Sequence, residues 1–272
     1  MDDGSEIADV LRFPVYGPGG SFSELLKAHA PELLPGGASA EGGGAHFDVP
    51  EGTTVLALRF HEGVIVAGDR RATEGFQIAH RSIEKVFAAD DMSAVAIAGA
   101  AGPAVEMVRL FQTELEHYEK VEGVPLSLEG KGNKLGQMIR ANLPAAMQGL
   151  VVVPLFCGFD HRRNDGRVFK YDVTGGRYEE IAFACTGSGS VHARNWIKAG
   201  YRDGMERQDA VDLGLLALFQ AADEDSATGG PDLVRRIFPT VAVIDGDGFA
   251  KLTDDDVEQL SITLLQSGRS AL

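Results

Sequence analysis

Hydrophobic periodicity changes along this chain in an order few folds satisfy: strands, two helices, strands, two helices, strands. Thr53-Thr54-Val55-Leu56-Ala57-Leu58-Arg59-Phe60 reads as a buried strand, and Val64–Asp69 as its return after the turn His61-Glu62-Gly63. Lys85–Ala88 and Ser93–Gly99 form a second hairpin around Asp90-Asp91. Val105, Val108, Leu110, Phe111 and Leu115 then take helical spacing, ending near Glu122-Gly123. Leu135, Met138, Ile139, Leu143 and Met147 mark a second helix, kinked at Pro144. Strands return at 151–159, 168–172 and 181–186, and helices at 191–201 and 207–224. A last hairpin, 238–245 with 249–252, precedes a short helix capped by Thr253 and Asp254, with Asp255 and Asp256 at its positive end. Hairpin blocks separated by helix pairs mean antiparallel sheets with helices outside. Wholly apolar runs such as Val151-Val152-Val153 fit a sheet covered on both faces. The expected class is α+β, a four-layer α-β-β-α sandwich. A doubly wound parallel sheet fits badly, because strands and helices do not alternate singly.

This pattern starts only at Thr53. Residues 1–52 hold ten Gly and five Pro, with nine acidic and two basic side chains. Runs such as Gly42-Gly43-Gly44 break any regular element. Two apolar patches survive, Val10–Phe13 and Phe22–Leu26, the second long enough for a turn or two of helix capped by Ser21 or Ser23. The segment is either a floppy tail or a removable pro-segment that docks these patches on the folded body. The remaining residues have the apolar content for a sizeable core. The net charge of -15 argues against nucleic acid, which needs clustered Lys and Arg. No apolar run approaches membrane-spanning length, and the acidic start lacks the charge of a secretory signal, so a cytoplasmic protein is expected. Two cysteines, Cys157 and Cys185, make no disulfide framework, and no His/Cys cluster has zinc spacing.

Four places carry possible chemistry. Thr53 opens a buried strand, where a threonine ordinarily serves strand propensity. A cut between Gly52 and Thr53 would give one residue both a hydroxyl and a free amine of pKa about 7.7–8.0, able to act as base for its own hydroxyl. Gly52 leaves the carbonyl unshielded. Asp69 with Arg70 and Arg71, and Lys85 on the next strand, are either solvated ions or a carboxylate that holds a lysine charged beside the nucleophile. Thr186-Gly187-Ser188-Gly189-Ser190 reads as a loop, a phosphate cradle or a serine nucleophile, yet lacks nucleophile-elbow and P-loop spacing. Asp223–Gly230 reads as a helix C-terminus closed by glycine, but its acidic residues oppose the macrodipole and need another reason. Asp245-Gly246-Asp247-Gly248 is a hairpin turn without calcium-loop spacing.

Together these residues resemble the proteasome core-particle β-subunit family, of the bacterial (actinobacterial) type. The resemblance runs over essentially all of 53–252. It is carried by Gly-Thr-Thr at 52–54, Ala-Gly-Asp-Arg-Arg-Ala-Thr at 67–73, Ile83-Glu84-Lys85-Val86, Ile97-Ala98-Gly99, ELEHYEKVEGVP at 114–125, Gly187-Ser188-Gly189 and DSATGGPDLVR at 225–235. It implies an N-terminal nucleophile threonine endopeptidase without metal or cofactor, made as a zymogen with 1–52 removed by autocatalytic cleavage between Gly52 and Thr53, leaving 53–272 as catalytic domain. Thr53 matches the nucleophile, Asp69 and Lys85 the pair that tunes it, and the Gly99 N–H the oxyanion donor. Ser188, Asp225 and Thr228 match the supporting group, where many relatives carry serine at the last position. Thr73 and Ala101 match positions whose backbone pairs with an extended substrate. Ala72, Ile83, Phe87, Ile97, Ala101 and Val105 match an apolar specificity pocket, with Glu74 near its rim. The implied partners are proteasome α subunits, further β subunits in heptameric rings (two stacked β rings between α rings), an ATP-dependent unfoldase cap and unfolded protein substrates. A noncatalytic ring subunit and a small-molecule amidase of the same nucleophile class are the alternatives. The first predicts loss of Thr53, Asp69 or Lys85, and all three are present.

Overall fold

The computed structural model describes residues 52–74 and 77–267. The expectations for residues 1–51, including the two apolar patches, lie outside the described residues. Two five-stranded sheets dominate, and every strand pair in them is antiparallel. In the first, β1 (Thr54–Phe60) turns into β2 (Gly63–Gly68) with Phe60 opposite Gly63. β10 (Phe183–Gly187) pairs the free edge of β1, while β11 (Thr240–Asp245) pairs β2 and carries β12 (Gly248–Lys251). The second sheet runs in chain order: β5 (Val86–Asp90), β6 (Ser93–Ala96), β7 (Leu155–Asp160), β8 (Asp165–Tyr171) and β9 (Arg177–Glu180). A small ribbon, β3 (Ala72–Glu74) with β4 (Gln77–His80), stands apart.

Alternation along β1 shows why its residues are apolar on both faces. Val55 and Ala57 pack with Val64, Val66 and Ala242, and with Val86, Ala94, Leu155 and Cys157 of the second sheet. Leu56, Leu58 and Phe60 face the other way, onto α4 (Ser190–Gly200) and α5 (Arg207–Glu224) through Ile197, Leu215 and Leu218. The outer face of the second sheet supplies Val95, Phe156 and Phe169, which meet Val108 and Phe111 of α1 (Ala101–Glu122) and Leu135 and Ile139 of α2 (Leu128–Ala141). Each fully buried Leu or Phe contributes about 1.5–3 kcal/mol. Helix ends follow local chemistry. Gly123, at φ 73, closes α1 by donating to the Glu119 carbonyl. Ser127 accepts from the Gly130 N–H, and Thr253 caps α6 (Asp254–Gln266) by accepting from the Asp256 N–H.

Two expectations need correction, and three strands have no counterpart in the sequence reading. The second helix is not one kinked rod through Met147: α2 stops at Ala141, and Leu143–Ala146 forms a separate turn, α3. Pro144 has no N–H to donate back to Arg140, but costs little in the first turn of a new helix. Val151–Val153 is not strand. Val152 forms an isolated bridge with Gly99, and the strand proper begins after Pro154, which cannot donate to a ladder. The β3–β4 ribbon and β9 escape periodicity because their sequences, ATE, QIAH and RYEE, are mostly polar edges.

Candidate active site

Thr53 lies just before β1, at the end where β10 pairs alongside it. Thr54 stands opposite Gly187 in register. Gly187 has φ +100, and a Cβ there would lie 2.1 Å from the Thr53 carbonyl oxygen, so only glycine lets the two backbones approach this closely. The strand then delivers Ser188, whose Oγ is 2.6 Å from Asp225 Oδ2 and 3.2 Å from the Thr53 carbonyl, and accepts from the Thr53 N–H at 3.4 Å.

Asp225 is the C-cap of α5, and its place against the helix dipole is explained by what it accepts. Thr228 Oγ1 donates to Asp225 Oδ2 at 2.6 Å, and the Ala227 N–H donates to Oδ1 at 3.1 Å. With the Thr228 proton so committed, the Thr54 hydroxyl, 2.6 Å away, is the donor to Thr228. Burial alone would raise the Asp225 carboxyl, but the Ser188 and Thr228 hydroxyls outweigh it and hold it below the ordinary carboxylate range.

Asp69 follows β2 and is fully buried. Its Oδ1 accepts from the Thr54 N–H at 2.8 Å and from Lys85 Nζ at 2.7 Å. Its Oδ2 accepts from the Arg71 N–H at 2.9 Å and the Gly229 N–H at 2.8 Å. Lys85 is 3% exposed and spends its other donors on the Arg71 carbonyl at 2.5 Å and the Gly52 carbonyl at 3.1 Å. Burial pulls the Lys85 ammonium below the ordinary lysine value, while the charge and hydrogen bond of Asp69 favour its charged form and oppose the shift.

The Gly52 carbonyl is where these groups converge: Thr53 Oγ1 donates to it at 2.6 Å, beside the Lys85 ammonium. A Cβ on Gly52 would lie 2.4 Å from Thr73 Oγ1 and 2.7 Å from the Ala227 carbonyl, so no side chain fits. This arrangement sets a hydroxyl against a peptide carbonyl polarised by a buried cation.

Gly99, at φ +103, sits in the bridge to Val152, closed by the N–H groups of Ala100 and Val153 rather than its own. Phe87, Ile97 and Val105 share one apolar cluster, which among the described residues does not include Ala72, Ile83 or Ala101. Ala72 is buried in β3, Ile83 is tied by its N–H to the Arg70 carbonyl, and Ala101 begins α1. Glu74, in β3, is exposed. Sequence reasoning missed the Thr54 hydroxyl, the Arg71 carbonyl and the Gly229 N–H. Only the glycines flanking Ser188 and following Thr228 hinted at such close approach. Cys157 and Cys185 lie buried in different clusters, and burial pushes the Cys185 thiol up to about 12. No helix of the described residues is long and apolar enough to cross a membrane.

Comparison with known proteins covers both the fold and this site. A family model described as "Proteasome subunit" matches residues 49–234, a span that includes Gly52, Thr53, Asp69, Lys85, Ser188 and Asp225. "Proteasome subunit beta" of Acidimicrobium ferrooxidans is 55% identical over 267 residues, covering 98% of this chain and 97% of that protein. Proteins of the same name from Streptomyces griseus and Acidothermus cellulolyticus are 55% and 57% identical, each over 90% of this chain and 88% and 86% of their own lengths. With the match running through the Thr53 junction and both sheets, the chain belongs to the proteasome subunit family.

Proposed function

We propose that this chain is a catalytic proteasome β subunit: a threonine endopeptidase made as a precursor. The observation that carries the reading is the Gly52 carbonyl, met at once by the Thr53 hydroxyl and the Lys85 ammonium. In the precursor, Thr53 Oγ adds to the Gly52 carbonyl carbon and gives up its proton. The C–N bond breaks, the Thr53 nitrogen takes a proton, and an ester joins Gly52 to Oγ. Water then cleaves the ester, releasing 1–52 and a free Thr53 amine. In the mature domain, 53–272, the amine serves as base when Oγ attacks a substrate carbonyl, and Lys85 lowers the cost of developing negative charge. Ser188, Asp225 and Thr228 hold the Thr53 main chain in place, and Gly99 supplies the oxyanion N–H.

The layered packing supports the finer fold assignment, a four-layer sandwich, since three apolar clusters alternate with two sheets. The family relationship supports assembly with α subunits and further β subunits in stacked heptameric rings, fed with unfolded protein by an ATP-dependent unfoldase in the cytoplasm. Thr73 and Ala101 pair by backbone with an extended substrate, and Ala72, Ile83, Phe87, Ile97, Ala101 and Val105 form the specificity pocket. The apolar character of those six favours cleavage after Leu, Phe or Tyr over Arg or Asp by at least about tenfold, or ~1.4 kcal/mol. Intact mass and N-terminal sequencing of the protein mixed with α subunit test the junction, and a mature start other than Thr53 overturns the reading. Comparing kcat/KM on peptides that differ only before the cut tests the pocket. A preference for Arg or Lys would assign specificity to Glu74 instead.

A further inference from the structure

A hollow of about 30 Å³ is lined, among others, by Arg70, Arg71, Arg81, Gly229, Gly230 and Asp232. That is room for two or so water-sized centres, hence for a small ion but not a nucleotide or a peptide. Its charge is lopsided. Its lining residues include three arginines and one aspartate, and that carboxylate is already engaged: Asp232 accepts from the N–H groups of Val234 and Arg235 and pairs with the Arg235 side chain at 2.9 Å. Arg70 reaches exposed Asp254 only at 3.5 Å, and its buried Nε has no hydrogen-bond partner among the described residues. Arg71 donates to the Ser226 carbonyl, a neutral acceptor that leaves its charge uncompensated. Arg81 makes no ion pair with the described residues. A buried guanidinium nitrogen without an acceptor is costly, and an oxyanion is the ligand that would satisfy it together with its neighbours.

The walls are held by backbone. Asp232 and Ile237 exchange N–H···O bonds at 2.9 and 3.0 Å, and the Ile83 N–H donates to the Arg70 carbonyl at 3.0 Å. Two of the lining residues, Arg71 and Gly229, provide the N–H groups that fix Asp69 Oδ2.

We propose that this hollow binds a small oxyanion and that the bound charge braces the Arg71 and Gly229 segments that position Asp69. The site stands on its own geometry; only its consequence for Thr53 rests on the function proposed above. Inorganic sulfate is the probe, titrated into the full chain at constant ionic strength and followed by thermal unfolding and by hydrogen exchange of the segment 226–238. The expected result is a saturable rise in Tm with a midpoint in the millimolar range, and exchange across 226–238 slowed several-fold. Arg70→Gln and Arg81→Gln should each weaken the midpoint about tenfold or more, while Arg202→Gln, an exposed arginine elsewhere, leaves it unchanged. General salting-out by sulfate is non-saturable and survives these substitutions. A purely linear response, equal responses in all variants, or a saturable Tm rise without slower exchange at 226–238 would each overturn the proposal. None of these readouts uses peptidase activity, so failure of the threonine reading leaves them interpretable, and the reverse holds.

Discussion

Lys85 and Arg167 are equally buried, at 3% exposed, yet they are set in different surroundings. Arg167, on β8, forks onto Glu179 at 2.7 and 2.6 Å, reaches Asp160 at 3.0 Å and lies 4.8 Å above the Phe169 ring. The hydrogen bonds it donates to Glu179 raise its already high pKa further, so it stays charged at every working pH. Its partners are carboxylates, and none is a reactive group. Lys85 has one carboxylate partner and spends two donors on peptide carbonyls, and burial lowers its pKa. A planar, permanently charged fork makes a clamp; a compact, titratable ammonium held against a carbonyl makes an electrophile. Burial alone therefore does not separate the two cations, whereas the kind of acceptor does, and the role proposed for Lys85 rests on it.

The largest test removes the hydroxyl that meets the same Gly52 carbonyl as the lysine. Thr53→Ala should retain residues 1–52 and lose at least about 10⁴-fold in peptide hydrolysis, the scale seen when a nucleophile is deleted. Intact mass and turnover read both, and a trimmed or active variant sinks the assignment. Next, Lys85→Arg should assemble yet lose roughly 100-fold or more in turnover, even when supplied with a pre-cleaved N-terminus. If turnover stays near normal, charge alone suffices and the contrast with Arg167 collapses.

The reciprocal exchange, Arg167→Lys, should leave turnover within about twofold. It should cost about 2 kcal/mol, since one or two charge-assisted hydrogen bonds are lost. For a domain of this size that lowers Tm by about 4–8 °C, read by calorimetry. Lost turnover at unchanged Tm would give Arg167 a role beyond clamping.

The two clusters should also titrate at opposite ends of the pH scale. The folded Lys85 value lies below the unfolded value of about 10.4. Between the two, the unfolded chain holds more protons, so this group makes stability rise with pH across that window. Glu179 is held below its ordinary range by the Arg167 hydrogen bond, so its contribution is present above about pH 4.3 and lost as pH falls through the folded value. Denaturant midpoints against pH should lose the alkaline rise in Lys85→Met and part of the acid fall in Arg167→Met. Unchanged limbs would detach those shifts from these residues. The smallest effect belongs to Thr228→Ser, which keeps the hydroxyl between Thr54 and Asp225 and should change turnover by no more than about threefold. Thr228→Ala should lose about tenfold, and parity of the two variants would dismiss the hydroxyl relay.

The sequence alone determined what depends on local pattern. The limits of α5, Arg207–Glu224, follow from apolar spacing, and the β1–β2 hairpin follows from two apolar runs around a turn. The residues that make up the site were also legible, because Gly52-Thr53, Asp69 and Lys85 stand at strand ends in an ordered set of motifs. Tertiary structure decided what depends on distant backbone. The break at Pro144 became a separate turn, and Val152 left its strand to bridge Gly99. The donors to Asp69 come from Thr54, Lys85, Arg71 and Gly229, up to 160 residues away from it. Backbone N–H and carbonyl groups are the same at every position, so no residue type announces which of them a fold will aim at a carboxylate. Side-chain periodicity records only burial, which is why it found the antiparallel strands and the helices but not the hydrogen bonds that join the charged residues.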